Sequence, residues 1–208
     1  MPEPEDAAVL DLGDGPAPRV LLRPPTEADR PEFVSLMRAS RSFHRPWATA
    51  PVDDERFAAY VADSRRPDFD ACLICRLQDG AITGFINLSQ IARGRLQSAY
   101  VGYAIGKPFA GQGYMREGLE LVLRRAFVDL RLHRLEANIQ PGNAASIALA
   151  RGAGFQREGF SPRYLKIGGR WRDHERWAIL AEGWRSSRSG QARGPAGRRY
   201  TEPGQPPT

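Results

Sequence analysis

Ile105-Gly106-Lys107-Pro108-Phe109-Ala110-Gly111-Gln112-Gly113-Tyr114-Met115 is the stretch on which the reading of this chain turns. Ser98 to Ile105 is apolar at nearly every position, which reads as a central strand buried on both faces. It runs into two glycines separated by one residue, and a long helical pattern begins directly after them. Glycine lets the backbone turn tightly and approach a ligand with no Cβ in the way. The first N–H groups of a helix lack internal partners and lie at the positive end of its dipole, so the junction suits an anion, phosphate above all. A dinucleotide fingerprint needs a third glycine three places after Gly113, where Arg116 stands, and a Walker loop needs Gly-Lys-Ser/Thr, which is absent.

Downstream, Leu119, Val122, Leu123, Ala126, Phe127 and Leu130 fall on one face of an amphipathic helix from Tyr114 to Leu130 that packs on a sheet. His133 to Gln140 alternates Leu135, Ala137 and Ile139 with Glu136, Asn138 and Gln140, as a strand does. Pro141-Gly142 ends it, Asn143 caps the next helix, and Gly152-Ala153-Gly154 closes that helix. Tyr164 to Ile167 and Arg170 to Leu180 then form a hairpin about Gly168-Gly169. Upstream, Val20 to Arg23 reads as a short strand, and Thr26 with Asp29 starts a helix faced by Phe33, Leu36 and Met37. A break at Arg41 to Trp47 precedes a helix capped by Asp53 and faced by Phe57, Tyr60 and Val61. Ala71 to Leu77 and Ile82 to Gln90 are strands joined through Asp79-Gly80. Together these elements predict one α+β domain with a mostly antiparallel sheet and helices on both faces.

The bulk properties set bounds on function. A chain of 208 residues suits one well-buried domain, and 41% hydrophobic with 26% charged residues is an ordinary globular composition. The formal charge of +6 owes part of its excess to residues 185–208, where five arginines sit among Gly, Pro, Ser and Gln. That basic tail is expected to be disordered and the acidic segment 1–18 flexible, leaving a folded core over 19–184. The core is itself arginine-rich, which suits an anionic cofactor or substrate and equally a merely soluble surface, so nucleic acid is not required. No apolar run is long enough to span a bilayer, and the N-terminus is acidic where a signal peptide is basic then apolar, so a cytoplasmic location is expected. Cys72 and Cys75, at odd spacing in a strand, point to opposite faces as buried thiols, and no metal is expected.

Pro108-x-x-Gly111-x-Gly113 before a long helix resembles the segment with which the Gcn5-related N-acetyltransferases hold the pyrophosphate of coenzyme A. The run Pro141-Gly142-Asn143-Ala144-Ala145-Ser146, followed by Gly152-Ala153-Gly154-Phe155, is similar to that superfamily's second half, where a strand splays from its neighbour. Tyr164-Leu165, Gly169-Arg170-Trp171-Arg172-Asp173-His174 and Arg45-Pro46-Trp47 resemble, more narrowly, the ribosomal-protein-alanine N-acetyltransferase branch, the RimJ/RimL-like proteins. The likeness spans nearly all of residues 19–184. It implies a single domain with splayed central strands, acetyl-coenzyme A as cosubstrate, and direct acetyl transfer to a primary amine, a protein N-terminal α-amine such as that of a ribosomal protein.

On that resemblance, the backbone of Tyr103, Ala104 and Ile105 pairs with the pantetheine arm like an added strand, with the Ile105 N–H towards the oxyanion. Gly111, Gln112, Gly113, Tyr114, Met115 and Arg116 hold the phosphates. Asn143 is a coenzyme A contact or simply a helix cap, and Ser146 stands beside the departing thiolate or bonds its own helix backbone. The glutamate that many members carry before the asparagine falls at Asn138 here, and the acid some branch members place before Tyr-Leu falls at Arg163, so both are missing. Glu136, Asp173 and His174 remain open as bases through water, and each also reads as a strand-edge pairing residue. An α-amine with a pKa near 7.7–8.0 is roughly a quarter neutral at about pH 7.4, against on the order of 0.1% for lysine, so a site without a strong base suits an N-terminus. Trp47 lines a peptide groove or merely packs, and His44 equally faces solvent. Two other functions stay open: acetylation of a small amine such as an antibiotic or polyamine, which an acidic pocket would favour, and non-catalytic coenzyme A binding.

Overall fold

One seven-stranded sheet organises the computed structural model, which describes residues 17–185. The strands are β1 (Val20–Arg23), β2 (Phe69–Arg76), β3 (Ile82–Ala92), β4 (Ser98–Ile105), β5 (Arg134–Ile139), β6 (Gln156–Ile167) and β7 (Arg170–Leu180), in the spatial order β1-β2-β3-β4-β5-β7-β6. Every pairing is antiparallel except β4 with β5. That parallel contact covers Ser98↔Arg134, Ala99↔Leu135 and Tyr100↔Glu136, after which β4 runs on to Ile105 and β5 to Ile139 without pairing. The two central strands therefore splay, and a wedge opens between them. The sequence 1–16 and 186–208, which holds nearly all of both expected flexible ends, lies outside the described residues.

Helices cover both faces. On one, α1 (Arg30–Ala39) and α3 (Asp54–Asp63) bury Phe33, Met37, Phe57 and Tyr60 against Leu73, Cys75, Ile82 and Phe85. On the other, α4 (Tyr114–Arg124) and the chain after it bury Leu119, Val122, Leu123 and Phe127 against Ile74, Leu135 and Trp177. Burying a side chain of that size contributes roughly 1.5–3 kcal/mol, and alternation along β2 explains why Leu73 and Ile74 enter different clusters. Cys72 and Cys75 are both buried free thiols, and burial pushes the Cys72 thiol up to about 12. No helix among the described residues is long and apolar enough to cross a membrane.

The local signals act as read in several places. The Asp29 carboxylate accepts from both the Thr26 N–H (2.7 Å) and its hydroxyl (2.9 Å), and Asp53 Oδ1 accepts from the Arg56 N–H (2.9 Å) at the start of α3. Three differences have physical causes. The long helix stays α-helical only to Arg124, then widens into a π turn over Arg125–Asp129 that keeps Ala126 and Phe127 buried while the Arg125 guanidinium meets the Asp70 carboxylate at 2.5 and 2.9 Å. The break at Arg41 to Trp47 contains a short helix, α2 (Arg41–His44), because His44 is held from afar by the end of β4. β4 buries Ser98, Ala99, Val101 and Ala104 but leaves Tyr100 half-buried, and Gly102, Tyr103 and Ile105 open onto the wedge.

Candidate active site

The splay leaves the outer edge of β4 without a strand. Gly106 N–H donates to Thr83 O of β3 (2.7 Å), which fixes the alternation along the antiparallel pair. The N–H and C=O groups of Tyr103 and Ile105 consequently face the other way, towards the space β5 has vacated. His44 Nε2 lies 2.8 Å from Ile105 O, so that ring nitrogen carries the proton and donates it. His44 is 7% exposed rather than solvated, and it joins α2 to β4. The Ile105 N–H and both main-chain groups of Tyr103 remain as an edge that an extended ligand can pair with.

This edge continues into a cavity of about 390 Å³ that ends at the first turn of α4. Tyr103, Ala104, Ile105, Gly111, Gly113, Met115, Arg116, Asn143 and Ser146 all line it. Gly111 and Gly113 sit at φ +75° and +88°, the left-handed region that favours glycine, and Gly113 is the N-cap of α4. A Cβ on Gly113 would also lie 2.9 Å from Arg19 Nη2. Gln112 and Tyr114 do not line the cavity. The Gln112 amide turns back to Pro108 O (2.7 Å), and the buried Tyr114 ring lies 4.8 Å beneath the Arg19 guanidinium. Glu117, in the first turn, would oppose an anion, but Arg19 pairs with its carboxylate and also donates to Gln112 O at 2.8 Å. The negative charge of Glu117 at the positive end of α4 is thereby offset, through an arginine that no motif marks.

A second cavity, of about 290 Å³, lies on the other side of the wedge, walled by Asn87, Asn138, Gln140, Leu165, Ile167 and His174 among others. The two cavities share Trp47, Ala48, Tyr103, Asn143 and Ser146, so they meet at the N-terminus of α5 (Ala144–Gly152). Asn143 Oδ1 accepts from Ser146 N–H (3.2 Å), which makes it the helix cap as well as a wall of both chambers. Among the described residues the Ser146 hydroxyl makes no bond to a carbonyl of its own helix, and a side-chain hydrogen bond links it to the Tyr103 phenol. Ser40 and Ser64 differ, since their hydroxyls bond backbone carbonyls of the preceding turn at 2.7 Å. Tyr103 Oη donates to Ser146 O (3.4 Å), and burial pushes that phenol up to about 12. Trp47 is set by Gln140, whose Nε2 donates to Pro46 O and Trp47 O at 3.2 and 3.1 Å, and by Gly142, where a Cβ would meet the indole at 3.0 Å. Trp47 thus walls the site as well as packing in it, and sequence reasoning missed Gln140, whose role rests on a contact across more than ninety positions.

The three candidate bases separate clearly. Glu136 lies between Arg134 (2.9 Å) and Arg176 (2.6 Å), and its carboxyl is held below the ordinary range by those two guanidinium groups against the opposing effect of burial. It lines neither chamber. Asp173 Oδ1 accepts from Arg163 N–H (2.7 Å), which fixes the irregular stretch of β6. His174, 2% exposed, does line the second chamber. Its Nδ1 lies 2.9 Å from Arg172 O, and burial pushes its pKa down. Among the described residues, the walls of the second chamber contain no carboxylate.

Residues 19–156 match the family model for an acetyltransferase (GNAT) domain. Over 169 residues the chain is 33% identical to the "Probable N-acetyltransferase YjcK" of Bacillus subtilis, covering 77% of this chain and 93% of that one. It is 37% identical over 107 residues to the "[Ribosomal protein uS5]-alanine N-acetyltransferase" of Escherichia coli, an alignment that spans 51% of this chain and 55% of that enzyme. Among solved structures, Mycobacterium smegmatis RimJ in complex with CoA-disulfide matches with a TM-score of 0.73 at 28% identity, over 83% of this chain and 88% of that one. The chain belongs to the GNAT acetyltransferase family and is an N-acetyltransferase.

Proposed function

We propose that this acetyltransferase moves the acetyl group of acetyl-coenzyme A directly onto the N-terminal α-amine of a protein, without an acyl-enzyme. The observation that carries the reading is the meeting of two chambers at Ser146, one suited to an anionic, extended cosubstrate and the other uncharged, amide-lined and free of carboxylates in its walls. The RimJ relative solved with a coenzyme A derivative supports acetyl-coenzyme A as the cosubstrate. The pantetheine arm pairs with the open edge at Tyr103 and Ile105, and the pyrophosphate meets the N–H groups of Gly113 to Arg116. The thioester carbonyl then lies by the Ile105 N–H, which stabilises the oxyanion. The Ser146 hydroxyl, free of helix bonding, supplies a proton to the departing thiolate.

A peptide N-terminus fits the second chamber better than a polyamine does. Asn87, Asn138 and Gln140 offer amide groups that bond a peptide backbone, and Trp47 offers an apolar wall. Arg172 and Arg170 are the cross-strand partners of Leu165 and Ile167, which line this chamber, so its flank repels a polycation. The E. coli relative points to a ribosomal protein as the type of acceptor.

Single-turnover transfer from radiolabelled acetyl-coenzyme A tests this with three acceptor sets: free-N-terminus peptides, lysine-bearing peptides with blocked N-termini, and spermidine. The free-N-terminus peptides should be acetylated fastest. Preference for blocked peptides or spermidine would replace the acceptor assignment, and no transfer to any amine would leave a coenzyme A binding module.

A further inference from the structure

Resting on that reading, we infer that His174 Nε2 and Asn138 Oδ1 together receive the incoming ammonium group, and that His174 takes its proton. Two acceptors without partners converge on the second chamber. The Asn138 side-chain oxygen is shielded from solvent and has no hydrogen-bond partner among the described residues, although Asn138 lines this cavity. Buried polar atoms are rarely left unpaired, so an orphaned oxygen in a cavity wall marks where a donor belongs; Arg172 Nε and Arg176 Nε, on the neighbouring strand, are likewise buried without partners among the described residues. The second acceptor follows from a tautomer. Arg172 O can only accept, so the His174 Nδ1 at 2.9 Å must be the protonated nitrogen. The lone pair of the neutral ring is therefore on Nε2, which makes no hydrogen bond with the described residues. Asn138 pairs in register with Arg176, two residues from His174 on the same face of β7, so the two side chains are diagonal neighbours across one strand pair. Such neighbours lie about 7–8 Å apart at Cα, a gap that one nitrogen atom can bridge.

The groups facing His174 agree with a neutral ring. From β6, Ser161 is its register partner and the Tyr164 ring stands edge-on at 6.2 Å. On its own strand Arg172 and Arg176 share its face, and Asp173 points to the other face and is occupied by Arg163 N–H. From β5 the nearest carboxylate, Glu136, is committed to Arg134 and Arg176. From β4, Tyr103 lines the same chamber with a phenol that stays protonated. The Arg172 carbonyl and the Asp173 charge favour a charged imidazole, and burial outweighs both, so the ring rests neutral.

The step balances. The ammonium transfers one proton to His174 Nε2, and the free amine attacks the thioester carbon, forming the C–N bond. The C–S bond then breaks, the second amine proton reaches the thiolate by way of Ser146, and the imidazolium returns its proton to solvent. The choice of base also selects the amine. Moving a proton from an α-ammonium to an ordinary imidazole is uphill by a factor of about 20, and from a lysine ammonium by about 10⁴.

The decisive variant is His174→Asn, whose side-chain amide keeps the bond to Arg172 O but has no base. For an α-amine acceptor kcat/KM should fall about 10²-fold. The acid limb of the wild-type pH profile, expected below the ordinary imidazole value near 6.5, should be replaced by one that follows the amine's own ionisation at about 7.7–8.0. Tm and coenzyme A affinity should hold. With a weakly basic amine that is already neutral at assay pH, the variant should match the wild type. Asn138→Leu should raise KM for the acceptor and leave the acid limb in place. Wild-type rates in His174→Asn, or an equal loss with both amines, would overturn the assignment, and His174→Gln provides the same comparison should the asparagine variant unfold. The series is run on whichever amine the wild type acetylates, so a failed acceptor assignment and a failed base are read separately.

Discussion

On the side of the wedge proposed for the cofactor, the groups assigned to the ligand are main-chain N–H groups of Ile105, Gly113 and the first turn of α4. On the acceptor side they are the side chains of Trp47, Asn138, Ser146 and His174. A main-chain site needs only a strand end, a left-handed turn and a helix start in the right order, and all three are written locally. A side-chain site needs residues from β4, β5, β6, β7 and the loop after α2 to converge, and each is placed by contacts distant in sequence. The two halves should therefore respond differently to substitution. The acceptor half should lose turnover while binding coenzyme A normally, and the cofactor half should lose affinity.

The largest effect that sharpens this contrast is expected at the junction itself. Ser146→Ala should lower kcat about 10²-fold while coenzyme A binding, followed by calorimetry, stays unchanged. An unaltered kcat would remove Ser146 from the chemistry. Next comes Gly113→Ala, which forces a Cβ into the left-handed region and towards Arg19 Nη2 at 2.9 Å. The conformational cost of roughly 1–2 kcal/mol corresponds to about a tenfold weaker coenzyme A Kd, with little change in kcat at saturation. If kcat fell and the Kd did not, the division into a main-chain half and a side-chain half would break. The smallest effect is expected for Glu136→Gln. Its carboxylate is tied to Arg134 and Arg176 outside both chambers, so kcat should change by less than about twofold, whereas a proton-accepting role would cost a hundredfold or more.

Much of this was legible before any coordinates. Asn143 caps its helix as its position after Pro141-Gly142 implied, and Gly111 and Gly113, read as residues that let the backbone turn tightly, sit at positive φ. Ser98 to Ile105 is a strand with the expected bounds. The departures share one cause. Near-continuous apolarity marked Ser98 to Ile105 as buried on both faces, yet its second half faces a cavity, because β5 stops pairing with β4 after Glu136. His44 read as possibly solvated because its partner, Ile105 O, is sixty-one positions away. Glu136 and His174 were equal candidates in the sequence, and only the arginines around the first and the carbonyl beside the second separate them.

The sequence by itself determined the order of strand, turn and helix that makes an anion site, the caps that start and stop the helices, and the absence of a carboxylate at position 138. These are properties of neighbours along the chain, where backbone sterics and dipoles act within a few residues. The tertiary structure alone decided where the sheet opens, that Arg19 cancels the charge of Glu117, and which nitrogen of His174 carries the proton. Those outcomes depend on pairing between segments far apart in the chain, and the physical terms involved, desolvation and hydrogen bonding, take their value from whatever group the fold brings alongside.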